Sequence, residues 1–195
     1  MPRTREENER IRQAASDRIR TAAMEIFIER GYHHASIDDI ASRAGVSKGL
    51  LYNYFKGKEA LLASMVQYRI DQINEVMQSA ANLTDPTEQL RSIVDGAMDG
   101  VREQPDVYRF YLHLQTQPAE DKVLFKYSEQ LKQATSDHFE IQCRLFENLG
   151  AADARLQSLY FSSTLTGMML MIATYPEGYP VQAMKEQIMD QFCPK

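Results

Sequence analysis

From residue 19 onward, apolar side chains recur every three or four positions, and no stretch alternates apolar with polar at the two-residue period of a strand. Such a chain can bury its apolar groups only as helices packed stripe to stripe, so it reads as all-α. Ile19, Ala22, Ala23, Ile26 and Phe27 make the first stripe, which Gly31 ends. Ser36 with Asp39 is a capping pair that opens a short helix carrying Ile37, Ile40, Ala41 and Ala44, closed by Gly45. Ser47 caps another short helix bearing Leu50, Leu51, Tyr54 and Phe55. After a turn at Lys56-Gly57, Lys58 begins a long helix with Leu62, Met65, Val66, Ile70, Ile73, Val76, Met77 and Ala80 on one side. If continuous to Ala80 it is roughly 34 Å long.

Asp85, Pro86 and Glu88 supply a cap, a first-turn proline and an acidic third residue for a helix striped with Leu90, Ile93, Val94, Ala97, Met98 and Val101. Pro105 and Pro118 bracket a short aromatic helix with Val107, Phe110, Tyr111 and Leu114. Residues 118–149 read as a longer helix, with Leu124, Tyr127, Leu131, His138, Ile141, Leu145 and Phe146 inward and Gly150 closing it. Residues 153–174 are apolar on nearly all sides, and 181–192 carry Val181, Met184, Ile188 and Phe192 on one stripe. The expectation is about nine helices and no sheet: an N-terminal domain over 1–57 and a helical body over 58–195.

A hydrophobic share of 44% and a charged share of 25% over 195 residues fit a globular chain and exclude disorder. Two cysteines, Cys143 and Cys193, exclude a disulfide framework, and no secretory leader is read at the start. The densest apolar run, 161–175, is interrupted by Ser162, Ser163, Thr164, Thr166 and Gly167. It falls short of the roughly 20 apolar residues that span a bilayer, so a cytoplasmic chain with no membrane partner is expected. The net charge of −5 is unevenly divided, +3 over residues 1–58 and −8 over 59–195, which directs any polyanion to the front end.

Two short capped helices joined through Ala44-Gly45-Val46 are either a plain helical hairpin or a helix-turn-helix. Glycine permits the positive φ of the tight turn, and Ile40, Ala41, Val46 and Leu51 pack the angle between the helices. In a helix-turn-helix the second helix enters the major groove, which here presents Ser47, Lys48, Gly49 and Leu50, then Tyr52 and Asn53. Lys48 suits guanine O6/N7, Asn53 suits adenine or backbone, and Gly49 allows close approach.

Residues 16–66 resemble the DNA-binding domain of the TetR family of bacterial transcriptional regulators. The likeness runs through Phe27-Ile28-Glu29-Arg30-Gly31-Tyr32, then Ser36-Ile37-Asp38-Asp39-Ile40-Ala41 and Ala44-Gly45-Val46-Ser47-Lys48-Gly49. It continues through Leu51-Tyr52-Asn53-Tyr54-Phe55, Lys58-Glu59 and Leu61-Leu62. The resemblance implies that Ser36 meets phosphate at a helix start, that Tyr52 and Tyr54 touch backbone or a thymine methyl, and that Lys58 grips phosphate. Asp38 departs from the pattern, standing where some members place a basic residue that reaches a base. Upstream, Arg3, Arg5, Arg10 and Arg12 alternate with Glu6, Glu7 and Glu9, which reads either as a minor-groove arm or as a solvated helix extension.

The same resemblance implies a body that binds a small effector and pairs with a second copy through its last two helices. The doubly apolar 153–174 segment needs a second cover, from a partner or from its own subunit, and Ser163 and Gly167 would admit a close helix. The interface candidates are Leu156, Ser163, Gly167, Met171, Met184 and Ile188. Pocket candidates are Met65, Met98, Tyr108, Phe110, Tyr111, Phe125, Tyr127, Tyr160, Thr164 and Met168, each equally at home in a plain core. His138, between Leu131 and Leu145 on an apolar stripe, is either a ligand contact or a core histidine with a hydrogen-bond partner. His113 and Cys143 lack metal-site spacing, so neither metal nor cofactor is expected. No nucleophile elbow, phosphate loop or dinucleotide fingerprint occurs. The expected function is a homodimeric regulator, not an enzyme, that binds a palindromic double-stranded operator and as a repressor is released by a small molecule. The competing readings are an effector-independent or activating DNA binder, and a helical carrier or enzyme without DNA.

Overall fold

The computed structural model describes residues 4–193. Among them lie nine helices and no strand: α1 (Arg5–His34), α2 (Ile37–Ala44), α3 (Lys48–Tyr54), α4 (Lys58–Ala81), α5 (Pro86–Glu103), α6 (Pro105–Gln115), α7 (Lys122–Asn148), α8 (Ala154–Thr174) and α9 (Val181–Phe192). None of these is long and apolar enough to cross a membrane.

Local chemistry sets the ends. Ser36 Oγ accepts from Asp39 N–H while the Asp39 carboxylate accepts from Ser36 N–H, a closed capping box. Gly45 leaves α2 in the left-handed region (φ 65°), and the N–H groups of Gly45 and Val46 take up the Ser42 and Ala41 carbonyls. Asp85, Asp121 and Asp153 cap α5, α7 and α8. The long seventh helix therefore starts after Asp121 rather than at Pro118. At the amino end Thr4 and Glu7 form a second capping box, and residues from Arg5 onward are helical. Arg3 of that segment lies outside the described residues. Gly31 (φ 75°, ψ 157°) interrupts α1 as expected, with one further helical turn beyond it.

The chain forms two compact units, Met1–Tyr68 and Arg69–Lys195, and the boundary between them falls within the residues of α4. The opening turns of α4 belong with α1. Lys58 Nζ donates to the carbonyls of Tyr32 and His33 at 2.9 and 3.0 Å, and the Arg20 guanidinium lies 4.4 Å from the Tyr68 ring centroid. The first unit buries Ile19, Ile26, Phe27, Ile40, Leu51, Leu61, Leu62, Met65 and Val66. The second buries Leu90, Val94 and Met98 of α5 against Phe146 of α7, Phe161, Leu165 and Ile172 of α8 and Ile188 and Phe192 of α9. Phe146, Phe161 and Phe192 meet there with ring centroids 5.2–6.0 Å apart.

The helix expected to be apolar all round has two distinct faces. Phe161, Leu165, Met168 and Ile172 face the core, whereas Leu156, Leu159, Tyr160, Leu170 and Met171 are exposed.

Candidate nucleic-acid interface

In the first unit a three-point frame ties α2 to α1. Arg43 pairs with Glu25 and Glu29 at 2.9 and 2.8 Å, and Arg30 pairs with Asp39 at 3.0 Å. The Ser36 hydroxyl hydrogen bond, with help from Arg30, holds the Asp39 carboxyl below its ordinary range, and Arg43 does the same for Glu29. These arginines are committed inside the unit, so its net positive charge is not spread evenly over its surface.

On that frame α3 presents an open face. Ser47, Lys48, Gly49, Leu50, Tyr52 and Asn53 are all exposed, and only Leu51 of this helix is fully buried. Leaving Leu50 and Tyr52 in solvent while Leu51 anchors the helix is the arrangement a reading helix needs. A Cβ added at Gly49 would meet nothing within 4 Å, so nothing inside the chain requires glycine there. Ser47 Oγ accepts from Leu50 N–H at 3.1 Å, and Ser36 Oγ is bound to Asp39, so both hydroxyls act as caps. Tyr54 is half-buried with the Arg12 guanidinium 5.9 Å from its ring centroid.

Two lysines expected at the nucleic acid also have partners within the unit. Lys58 directs its ammonium onto the carbonyls that end α1 and lies 5.0 Å from the Tyr32 ring centroid. Lys48 is paired with Asp38, at 2.9 Å to Oδ1 and 3.1 Å to Oδ2, a contact that sequence reasoning missed.

The expected pocket residues are spread over α4, α5, α6, α7 and α8. Met65 is fully buried in the first unit, and Tyr160 is exposed on α8. Met98, Tyr108 and Met168 are packed in the main core, and Tyr111 and Tyr127 are buried. Phe110, Phe125 and Thr164 are half-buried. A cavity of about 280 Å³ opens at the α7–α8 turn beside Phe146, Leu149, Leu156, Gln157, Gln191 and Phe192, and none of the expected pocket residues lines it. His138 has the partner expected of a core histidine: its Nε2 lies 2.8 Å from Asn74 Oδ1, while buried Nδ1 has none.

The sequence pattern missed Arg69. Its guanidinium is half-buried, 5.8 Å from the Tyr111 ring centroid, and no carboxylate is paired with it among the described residues. Burial disfavours its charge, against the pull of Tyr111 and Tyr108, and burial also pushes the Tyr108 phenol up. Of the interface candidates, Leu156, Ser163, Gly167 and Met171 are exposed, whereas Met184 is half-buried and Ile188 has no exposed surface. Ile188 is therefore a core residue of its own chain and not part of an outer face.

A capped helix-turn-helix with an exposed second helix is the arrangement of helix-turn-helix DNA-binding domains. Residues 19–65 match the model of the bacterial regulatory proteins, tetR family. That match takes in the helix-turn-helix and part of the helix on either side of it, so the likeness to the tetR family is shown for this segment. It is 39% identical over 89 residues to an HTH-type transcriptional activator, FasR, of Mycolicibacterium smegmatis, covering 45% of this chain and 41% of that one. The chain thus spans about two fifths of the length of the curated relatives it matches. The fold is also that of the transcriptional regulator FadR from Bacillus subtilis, solved with stearoyl-CoA (TM-score 0.70, 20% identity, 91% of this chain and 97% of that). It is shared by AibR, solved with isovaleryl coenzyme A and operator DNA (TM-score 0.71, 19% identity, 93% of this chain and 100% of that).

Proposed function

We propose that the protein is a homodimeric transcriptional regulator that binds a palindromic operator through α3 and leaves it when a small molecule binds the body. The observation that carries this reading is the exposed Ser47–Asn53 face on a frame of internal ion pairs. Ser36, Ser47, Lys48, Gly49, Leu50, Tyr52, Asn53, Tyr54 and Lys58 are its proposed DNA-facing residues, all within the first unit. Two copies must set their α3 helices about 34–36 Å apart to reach successive major grooves. Because α4 carries residues of both units, a ligand that tilts it would change that separation, and preference for the wrong-spaced state suffices to release DNA. Gly49→Ala tests the DNA face. Alanine finds open space there and favours helix by about 1 kcal/mol, so thermal stability rises. Operator affinity, measured by fluorescence anisotropy, is expected to fall about tenfold as the methyl meets the groove. Unchanged affinity would remove α3 from the interface.

A second reading names the effector as an acyl-coenzyme A. Arg69, a half-buried cation with no paired carboxylate, favours a ligand that brings negative charge. The neighbours solved with stearoyl-CoA and isovaleryl coenzyme A support the same class. Titrating protein on operator with stearoyl-CoA and isovaleryl-CoA should weaken binding at least tenfold, and Arg69→Gln should blunt that response without weakening DNA binding itself. Operator binding indifferent to both thioesters would end this reading.

A further inference from the structure

Lys48 opens α3 and Asp38 sits in the first turn of α2, so their ion pair bridges the two helices of the helix-turn-helix on its outer face. Neither is a buried structural pair: the side chains remain 54% and 69% exposed. The capping work at this end of α2 belongs to Ser36 and Asp39, leaving Asp38 with no partner in the capping box. An unopposed carboxylate beside a polyanion is a liability, since each phosphate nearby repels it. Its contact with Lys48 through both oxygens also fixes where a long, flexible ammonium points, and this hydrogen bond, with the charge of Asp38, raises the Lys48 pKa.

We infer that Asp38 is a specificity-determining positioning residue, which withholds Lys48 from phosphate and aims it at a guanine edge. The inference rests on the proposed DNA-binding reading. An unpaired lysine at the start of α3 would settle on the nearest phosphate and bind any duplex. Held by Asp38, it keeps one donor for an acceptor in the groove, and the neutral pair contributes little to counterion release. Guanine O6/N7 is the acceptor that suits a lysine, and the adjacent carboxylate suits the N4 amino group of the paired cytosine. Sequence discrimination is thereby gained at the expense of general affinity.

The full-length protein is first used to select duplexes from a random-sequence pool. Binding of wild type, Asp38→Asn, Asp38→Glu, Lys48→Gln and the Asp38→Asn/Lys48→Gln pair is then measured on a selected and an unselected duplex across a salt series. Asp38→Asn is expected to bind the unselected duplex about threefold to tenfold more tightly, with a log–log salt slope steeper by about 0.9, one extra phosphate contact. Its ratio of selected to unselected affinity falls about tenfold, and a second selection with it loses guanine at one position of each half-site. Asp38→Glu retains part of the ratio. Lys48→Gln lowers the ratio without tightening binding to unselected DNA, and the double variant matches it, because Asp38 acts through Lys48. A parallel loss on both duplexes for Asp38→Asn, or an unchanged ratio, overturns the inference. Failure of the wild type to enrich any sequence instead overturns the DNA-binding reading on which it rests. Thermal melts of each variant separate either result from a folding defect.

Discussion

Gly167→Arg is expected to leave each chain folded but to convert a dimer into monomers, and to lower operator affinity by about 10³-fold, toward the level of non-specific binding. Leu156, Leu159, Tyr160, Leu170 and Met171 form an apolar face on α8 with relative exposures of 42–62%, while the opposite side of the same helix is sealed in the core. Burying the half of each side chain still in water contributes about 0.7–1.5 kcal/mol, and the five from each of two copies together reach the scale of the cost of association. Gly167 lies within this face, and a Cβ there would meet nothing within 4 Å in its own chain. Arginine at that site therefore obstructs only a second molecule. One half-site of contacts is too few for a specific complex, which is why the loss of pairing should carry through to DNA. Sedimentation equilibrium of the variant, beside anisotropy on the operator, measures both effects. A variant that stays dimeric would take α8 out of the interface.

Features set by neighbours in sequence were legible, and those set by distant neighbours were not. The Ser36–Asp39 box, the left-handed Gly45 and the Asp85-Pro86 start act within a few residues, so spacing alone reveals them. Nothing near Lys58 in sequence shows that its ammonium would meet carbonyls 25 and 26 residues upstream. Asp38 likewise registered as a departure from a family pattern, whereas its meaning lies in Lys48 ten residues on. Helical spacing marks Leu156 and Ile188 equally as apolar. Which of them is covered within the chain depends on how α9 lies against α5 and α8, and periodicity carries no such information. For the same reason the pocket was the least legible part: methionines and aromatics announce burial, and Arg69, a cation at the start of the second unit, matched no apolar stripe.

The second large effect concerns Lys185, which lies on α9 at 7% exposure with its ammonium 2.9 Å from Asp95 and 2.7 Å from Asp99, both on α5. Asp95 and Asp99 are four apart, so both carboxylates leave the same side of α5 and close on one cation. Removing both charges by Asp95→Asn/Asp99→Asn leaves a buried ammonium without a counter-ion and is expected to cost roughly 2–3 kcal/mol. That is below the 3–5 kcal/mol of a fully buried pair because the aspartates keep 48% and 37% of their surface in water. Lys185→Met, which removes the cation and keeps its packing volume, should cost less than about 1 kcal/mol, since the half-exposed carboxylates stay hydrated. Alkaline pH separates the two cases further. Burial alone would lower the Lys185 pKa, but the hydrogen bonds and charges of Asp99 and Asp95 outweigh it and raise it above its usual value. A cation whose folded pKa is raised stabilises the fold fully below roughly pH 10.4, its ordinary value, and loses that contribution as pH climbs through the higher folded one. Urea unfolding of wild type should therefore lose stability on that limb more steeply than Lys185→Met. Equal destabilisation by Lys185→Met and by the double aspartate substitution at neutral pH would mean that the cluster acts through packing, with no part played by its charges.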